Sequence, residues 1–148
     1  MASARDLVFQ NVNWEEIDII VGIEAMGLPL AAALSLESGK PLVICRKRSY
    51  GLEGEFSVDQ STGYSKGEIF INDIKSGERV LLIDDVVSTG GTLGPILDVI
   101  YEMGAIVSEC WVVFEKGDGI FRLRDRFECP INSLLRINIV DGRAIVVD

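Results

Sequence analysis

Arg79-Val80-Leu81-Leu82-Ile83-Asp84-Asp85-Val86-Val87-Ser88-Thr89-Gly90-Gly91-Thr92-Leu93 is the stretch that decides the fold. Its first five residues are continuously apolar after the Arg and come after the turn Lys75-Ser76-Gly77-Glu78, which predicts a short strand buried on both faces of a parallel sheet. Asp84 and Asp85 then fall at its carboxyl end, at a solvent-facing position, where ligands bind in open α/β sheets. Beyond them, Ser88 to Thr92 present two unhindered glycine backbones and three hydroxyls. The apolar spacing Leu93, Ile96, Leu97, Ile100 predicts a helix from that point. A phosphate at this helix start would meet free backbone N–H groups and the positive end of the helix dipole.

Working outward, the same strand, loop, helix grammar repeats. Residues 1–16 predict one short helix packed on the next elements of the chain. Ile17 to Ile23 is a β-branched run interrupted by Asp18 and Gly22, and it reads as the first central strand. Glu24-Ala25-Met26-Gly27-Leu28-Pro29 ends it, with Gly27 free to take a positive φ and Pro29 suited to a helix's first turn. That helix runs through Leu30-Ala31-Ala32-Ala33-Leu34 to the stop signal Gly39. Pro41 to Cys45 is a second strand, and after it comes Arg46-Lys47-Arg48, a basic run that suits either a solvated face or a bound anion. Residues 55–67 are polar and Gly/Ser-rich, and Glu68 to Asn72 alternate like an exposed strand. Cys110 to Phe114 is a third parallel strand, closed by Glu115-Lys116-Gly117-Asp118-Gly119. Phe121 and Phe127 flank a charged segment expected as an exposed turn or short helix. Leu134 to Val147 forms two apolar runs around Asp141-Gly142, a hairpin signal. The expected architecture is α/β: an open, mainly parallel sheet with helices on both faces and right-handed crossovers, plus a small β hood from residues 55–72.

Composition removes whole classes of function. A chain of 148 residues is one domain's worth, 1–148, and buries about 68–70% of its unfolded surface without staples. The net charge of −9 argues against nucleic acid as the main partner, because phosphate neutralisation needs a basic surface, although it leaves room for a local basic patch. No histidine is present, so His-based triads, general bases and metal sites are out. Cys45, Cys110 and Cys129 are odd in number, widely spaced and set beside apolar residues, which indicates buried thiols rather than disulfides or zinc. No apolar run approaches the length of a membrane span and no signal-peptide core comes after Met1, so a soluble, cytoplasmic protein is expected.

The central stretch lacks both the Gly-Lys-Ser/Thr of a Walker A loop and Gly-x-Gly-x-x-Gly. It resembles the phosphoribosyl-pyrophosphate (PRPP) signature of the type I phosphoribosyltransferases, in which hydrophobic residues, two acids and a Thr-Gly-Gly-Thr-like loop come in this order. The resemblance covers roughly residues 17–119. In the Arg46-Lys47-Arg48-x-Tyr50-Gly51 and Glu115-Lys116-Gly117-Asp118-Gly119 segments it is similar to the archaeal-type hypoxanthine/guanine enzymes. It implies the fold described above and transfer of phosphoribose from PRPP to a 6-oxopurine. It implies that Asp84 and Asp85 face the ribose hydroxyls and, through PRPP, a bound Mg²⁺. Ser88, Thr89, Gly90, Gly91 and Thr92 would wrap the 5′-phosphate. Glu24, Ala25, Met26, Gly27, Arg46 and Lys47 would meet pyrophosphate, although adenine enzymes usually have Arg where Met26 stands. Lys116 would donate to the purine O6; from the residue alone, a Lys snorkelling beside a Gly turn is the other reading. Residues 61–66 would tip a hood that closes over the site, and a homodimer is implied, with no nucleic acid or membrane as partner.

Two departures from the pattern keep alternatives open. Human-type 6-oxopurine enzymes carry an acid where Ser88 stands, so the group that handles the base N7 proton is unassigned. Residues 1–16 are a shorter lead-in than the resemblance implies, so either cover for the base comes from the C-terminal hairpin or a partner subunit, or catalysis is weak. The alternatives are a PRPP- or nucleotide-binding regulator without turnover, an enzyme for adenine, xanthine or orotate, or half of a PRPP synthetase.

Overall fold

A computed structural model describes residues 2–61 and 66–147. Helix α1 (Ala2–Asn11) and a 3₁₀ turn (Trp14–Glu16) lead into β1 (Ile19–Ile23), α2 (Gly27–Ser38) and β2 (Leu42–Cys45). The hood is β3 (Phe56–Ser61) and β4 (Lys66–Ile71); then come β5 (Arg79–Val87), α3 (Leu93–Glu102), β6 (Ile106–Lys116), α4 (Gly119–Arg126), β7 (Ile131–Val140) and β8 (Arg143–Val147). Six strands form one sheet in the order β2-β1-β5-β6-β7-β8, with every pairing parallel except β7 to β8. The hood is a separate antiparallel pair.

The apolar run in β5 is buried on both faces, as its lack of alternation predicts. Val80 and Leu82 point into a core shared with α3, α4 and the hood, whereas Leu81 and Ile83 point into a second core under α1 and α2. Each such fully buried side chain contributes about 1.5–3 kcal/mol relative to an exposed one. The sheet is thus covered by α1 and α2 on one face and by α3 and α4 on the other.

Several boundaries move from those expected, for identifiable reasons. The first strand begins at Ile19, because Asp18 instead grips Arg79 at the start of β5: its carboxylate accepts from the guanidinium at 2.7 and 3.0 Å and its N–H donates to the Arg79 carbonyl. These bonds hold the Asp18 carboxyl well below its ordinary range, at about 2. β5 runs four residues past Ile83, since Asp84 and Val86 stay in register with Val112 and Phe114 of β6. The hood is anchored at its base rather than free: Val58, Ile69 and Ile71 are buried in the α3-side core, and Phe70 exchanges two backbone hydrogen bonds with Arg46 at 2.7 and 2.8 Å. Of its expected tip, residues 61–66, the stretch 62–65 lies outside the described residues. The Asp141-Gly142 signal holds, with φ of 50° and 74° in a two-residue turn of the type hairpins favour.

Candidate active site

A cleft of about 440 Å³ opens at the carboxyl ends of β1 and β5. Its walls come from three loop segments that the chain order separates widely: 23–26 after β1, 84–93 across the end of β5, and Lys116 at the end of β6. Lys47 and the hood residue Gln60 complete it. The loop after β1 is tied to the basic run, because the Glu24 carboxylate accepts from the Lys47 N–H at 2.7 Å and the Glu24 N–H donates to the Cys45 carbonyl at 2.9 Å. The Glu24–Ala25 peptide bond is cis.

Asp84 does not face solvent as expected. It is 7% exposed, held inside the sheet by the continuation of β5 and covered by the first turn of α2. Burial is the main cause that pushes its carboxyl up to about 8, and the neighbouring Asp85 adds to the rise. The Asp85 N–H, donating at 2.8 Å, and the Lys47 charge pull the other way without reversing it. Asp84 therefore keeps its proton over most of the neutral range in the free cleft, while Asp85 is half-exposed at the mouth.

Gly27 has a different role from the positive φ expected of it. It sits inside the first helical turn, and a Cβ there would lie 2.9 Å from the Ile83 carbonyl oxygen and 3.0 Å from the Asp84 Cα. Glycine lets α2 seat directly on the end of β5. Gly27→Ala is expected to lower stability by about 1–3 kcal/mol, despite the better helix propensity of Ala. An unchanged urea midpoint would show that α2 can shift without cost.

The loop from Ser88 to Thr92 runs into the N-terminus of α3, whose dipole favours an anion; in its first turn the Gly94 N–H already donates to the Gly90 carbonyl at 2.9 Å and Pro95 has no N–H, so the amides open to a ligand lie in the loop ahead of the helix and at Leu93. Thr92 holds the cap position without a side-chain cap bond, and its hydroxyl accepts from the Gln60 amide at 2.5 Å. Gln60 was not legible in the sequence: it lies in a patternless polar stretch, and only the folding back of the hood brings it here.

The family model for the phosphoribosyl transferase domain matches residues 2–133. The chain belongs to the phosphoribosyltransferase family. Among the relatives of this phosphoribosyltransferase, a hypoxanthine/guanine phosphoribosyltransferase of Methanohalobium evestigatum is 53% identical over 123 residues, 83% of this chain and 64% of that one. Another so named, from Aciduliprofundum boonei, is 44% identical over the full 148 residues and 80% of its own length. The chain thus spans between about two thirds and four fifths of these two relatives. An adenine phosphoribosyltransferase structure from Thermoanaerobacter pseudethanolicus shares the fold with a TM-score of 0.80, at 24% identity over 91% of this chain and 79% of that one.

Of the residues expected in the phosphoribosyltransferase site, Glu24, Ala25, Met26, Lys47, Asp84, Asp85, Ser88 to Thr92 and Lys116 share the cleft. Gly27 lies beneath it. Arg46 does not reach it: Glu55 takes its guanidinium at 2.5 Å, Tyr50 stacks under it at 4.4 Å, and it lines a separate cavity beside β2. The half-buried Glu55 carboxylate takes a cation, and Arg46 is the one the backbone bridge to Phe70 sets beside it. The cover expected from the C-terminal hairpin is also absent, since among the described residues nothing beyond Lys116 lines the cleft. Among the described residues no helix is long and apolar enough to cross a membrane, and no three Asp, Glu or Cys side chains cluster as a metal cage. A carboxylate pair without a cage fits Mg²⁺, which keeps its waters and is bound by one or two carboxylates plus substrate phosphates.

Proposed function

We propose that the chain is one phosphoribosyltransferase domain, working as a cytoplasmic homodimer in purine salvage. It transfers the 5-phosphoribosyl group of PRPP to hypoxanthine or guanine, giving IMP or GMP and pyrophosphate. The observation that carries this reading is the meeting, in one cleft, of an acid pair, an amide- and hydroxyl-rich loop at a helix N-terminus, and Lys116 at the end of the neighbouring strand. The family membership and the relatives named for this activity support it.

The chain's own residues divide the work. Ser88 to Thr92 hold the 5′-phosphate, a remote handle whose binding energy orients the sugar. Asp84 and Asp85 take the ribose hydroxyls and favour the positive charge that builds on the sugar as the bond to pyrophosphate breaks. Mg²⁺, arriving on PRPP and meeting the acid pair, would supply charge neutralisation for the leaving pyrophosphate. Met26 and Lys47 line the wall where that group departs, through exposed loop atoms and one ammonium. Lys116 presents donors alone, which suit the O6 of an oxopurine and oppose the adenine amine.

Incubation with PRPP and each of hypoxanthine, guanine, xanthine and adenine, with and without Mg²⁺, tests the reading. Nucleotide and pyrophosphate are expected from hypoxanthine and guanine, only with Mg²⁺. PRPP binding without product from any base would leave a regulator instead.

A further inference from the structure

The loop from Ser88 to Thr92 rests on a floor that its motif does not include. The Gly119 N–H of α4 donates to the Ser88 carbonyl at 3.0 Å, and the Arg122 guanidinium donates to the Thr89 carbonyl at 3.3 Å. Leu123 packs 3.2 Å from where side chains on Gly90 and Gly94 would begin. α4 is itself held from two sides, by Arg126 on Asp98 of α3 at 2.6 Å and by Arg124 on the Ile131 carbonyl of β7 at 2.8 Å. Gly119, Arg122 and Leu123 do not line the cleft, whereas the loop does. Both carbonyls are therefore drawn to the side of the loop that faces away from the cleft.

A trans peptide is planar, and its C=O and N–H point in opposite directions. Among the described residues the one cis bond is Glu24–Ala25, so the Ser88–Thr89 and Thr89–Gly90 peptides are trans. Pinning their carbonyls onto α4 turns the Thr89 and Gly90 N–H groups toward the cleft, and among the described residues neither has an acceptor. We propose that Gly119 and Arg122 are positioning residues that aim these two amides at the substrate's phosphate. Glycine is required at 119 because a Cβ would lie 2.1 Å from the Ser88 oxygen and 2.6 Å from the Thr89 carbonyl carbon. Arg122 is exposed, so its side chain can be removed without opening the core.

This inference rests on the phosphate reading of the loop and deepens it. PRPP and base KM, kcat and the melting temperature are compared for wild type, Gly119→Ala, Arg122→Met and Arg122→Lys. Arg122→Met is expected to raise the KM for PRPP roughly 3- to 10-fold, the worth of one modest hydrogen bond. Base KM and melting temperature should stay put, and Arg122→Lys should recover most of the loss. The effect of Arg122→Met should persist at about 0.5 M salt, where exposed charges are screened within a few ångströms. Gly119→Ala should raise the KM for PRPP roughly 10- to 100-fold by crowding two peptides. An unchanged KM for PRPP in both variants, a shift that vanishes in high salt, or a parallel rise of both KM values with a lower melting temperature overturns the proposal. Wild-type protein that does not bind PRPP at all overturns the phosphate reading first, and this inference with it.

Discussion

Asp84→Asn is expected to make the protein more stable and less active at once. The buried carboxyl titrates near 8, above its ordinary 3.8. A group whose folded pKa is raised contributes stability that is whole below pH 4 and is lost as pH climbs through 8. Asparagine keeps the acceptor for the Asp85 N–H and never ionises, so it escapes that loss. Each pKa unit is worth about 1.4 kcal/mol, and half of the rise leaves about 3 kcal/mol in favour of the variant at pH 8. At pH 4 the two proteins should melt alike. Turnover moves the other way, because hydrogen bonds to charged groups are worth about 1.5–3 kcal/mol each, and Asp84→Asn with Asp85→Asn removes two charged acceptors. That corresponds to roughly 10²- to 10⁴-fold. Binding of Mg²⁺-PRPP should also draw the proton off Asp84, so affinity should rise with pH up to about 8. Calorimetry in buffers of different ionisation enthalpy would register the released proton. A melting difference independent of pH, or one in which Asp84→Asn is the less stable protein at pH 8, would mean that burial does not govern this carboxyl.

Lys116→Met should lose hypoxanthine and guanine turnover by roughly 10- to 150-fold, the cost of ~1.5–3 kcal/mol for a hydrogen bond from a charged group. Methionine keeps the apolar stem of this half-buried side chain and removes its ammonium. The affinity for PRPP should not change, because the proposed reading gives its phosphate to residues 88–92, which no hydrogen bond joins to Lys116 among the described residues. Adenine turnover should stay low in wild type and gain nothing specific in the variant. Full hypoxanthine activity in Lys116→Met, or a wild-type preference for adenine, would make Lys116 a cleft-wall residue and remove the residue-level basis for a 6-oxopurine.

What the sequence determined by itself was whatever is written in consecutive residues. An unbroken apolar run must bury both faces, so β5 lies in the middle of a parallel sheet between two helical layers. Adjacent acids, then a hydroxyl and glycine loop, then an amphipathic helix place a polar cleft where strand gives way to helix. Asp141-Gly142 specifies its own turn, because both residues tolerate a positive φ.

Anything that depends on which surface lies against a residue from elsewhere in the chain came from packing instead. Asp84 and Asp85 are identical in the sequence, yet one is buried by β6 and the first turn of α2 while the other reaches the cleft mouth. Arg46 and Lys47 are both cations at a strand end, and the anchoring of the hood gives Arg46 to Glu55 and leaves Lys47 in the cleft. Gln60 and Gly119 bear on the loop from Ser88 to Thr92 across gaps of about thirty residues, one from the hood and one from α4. Burial, charge pairing and peptide orientation are set by packing between distant segments, and no local pattern of residues encodes them.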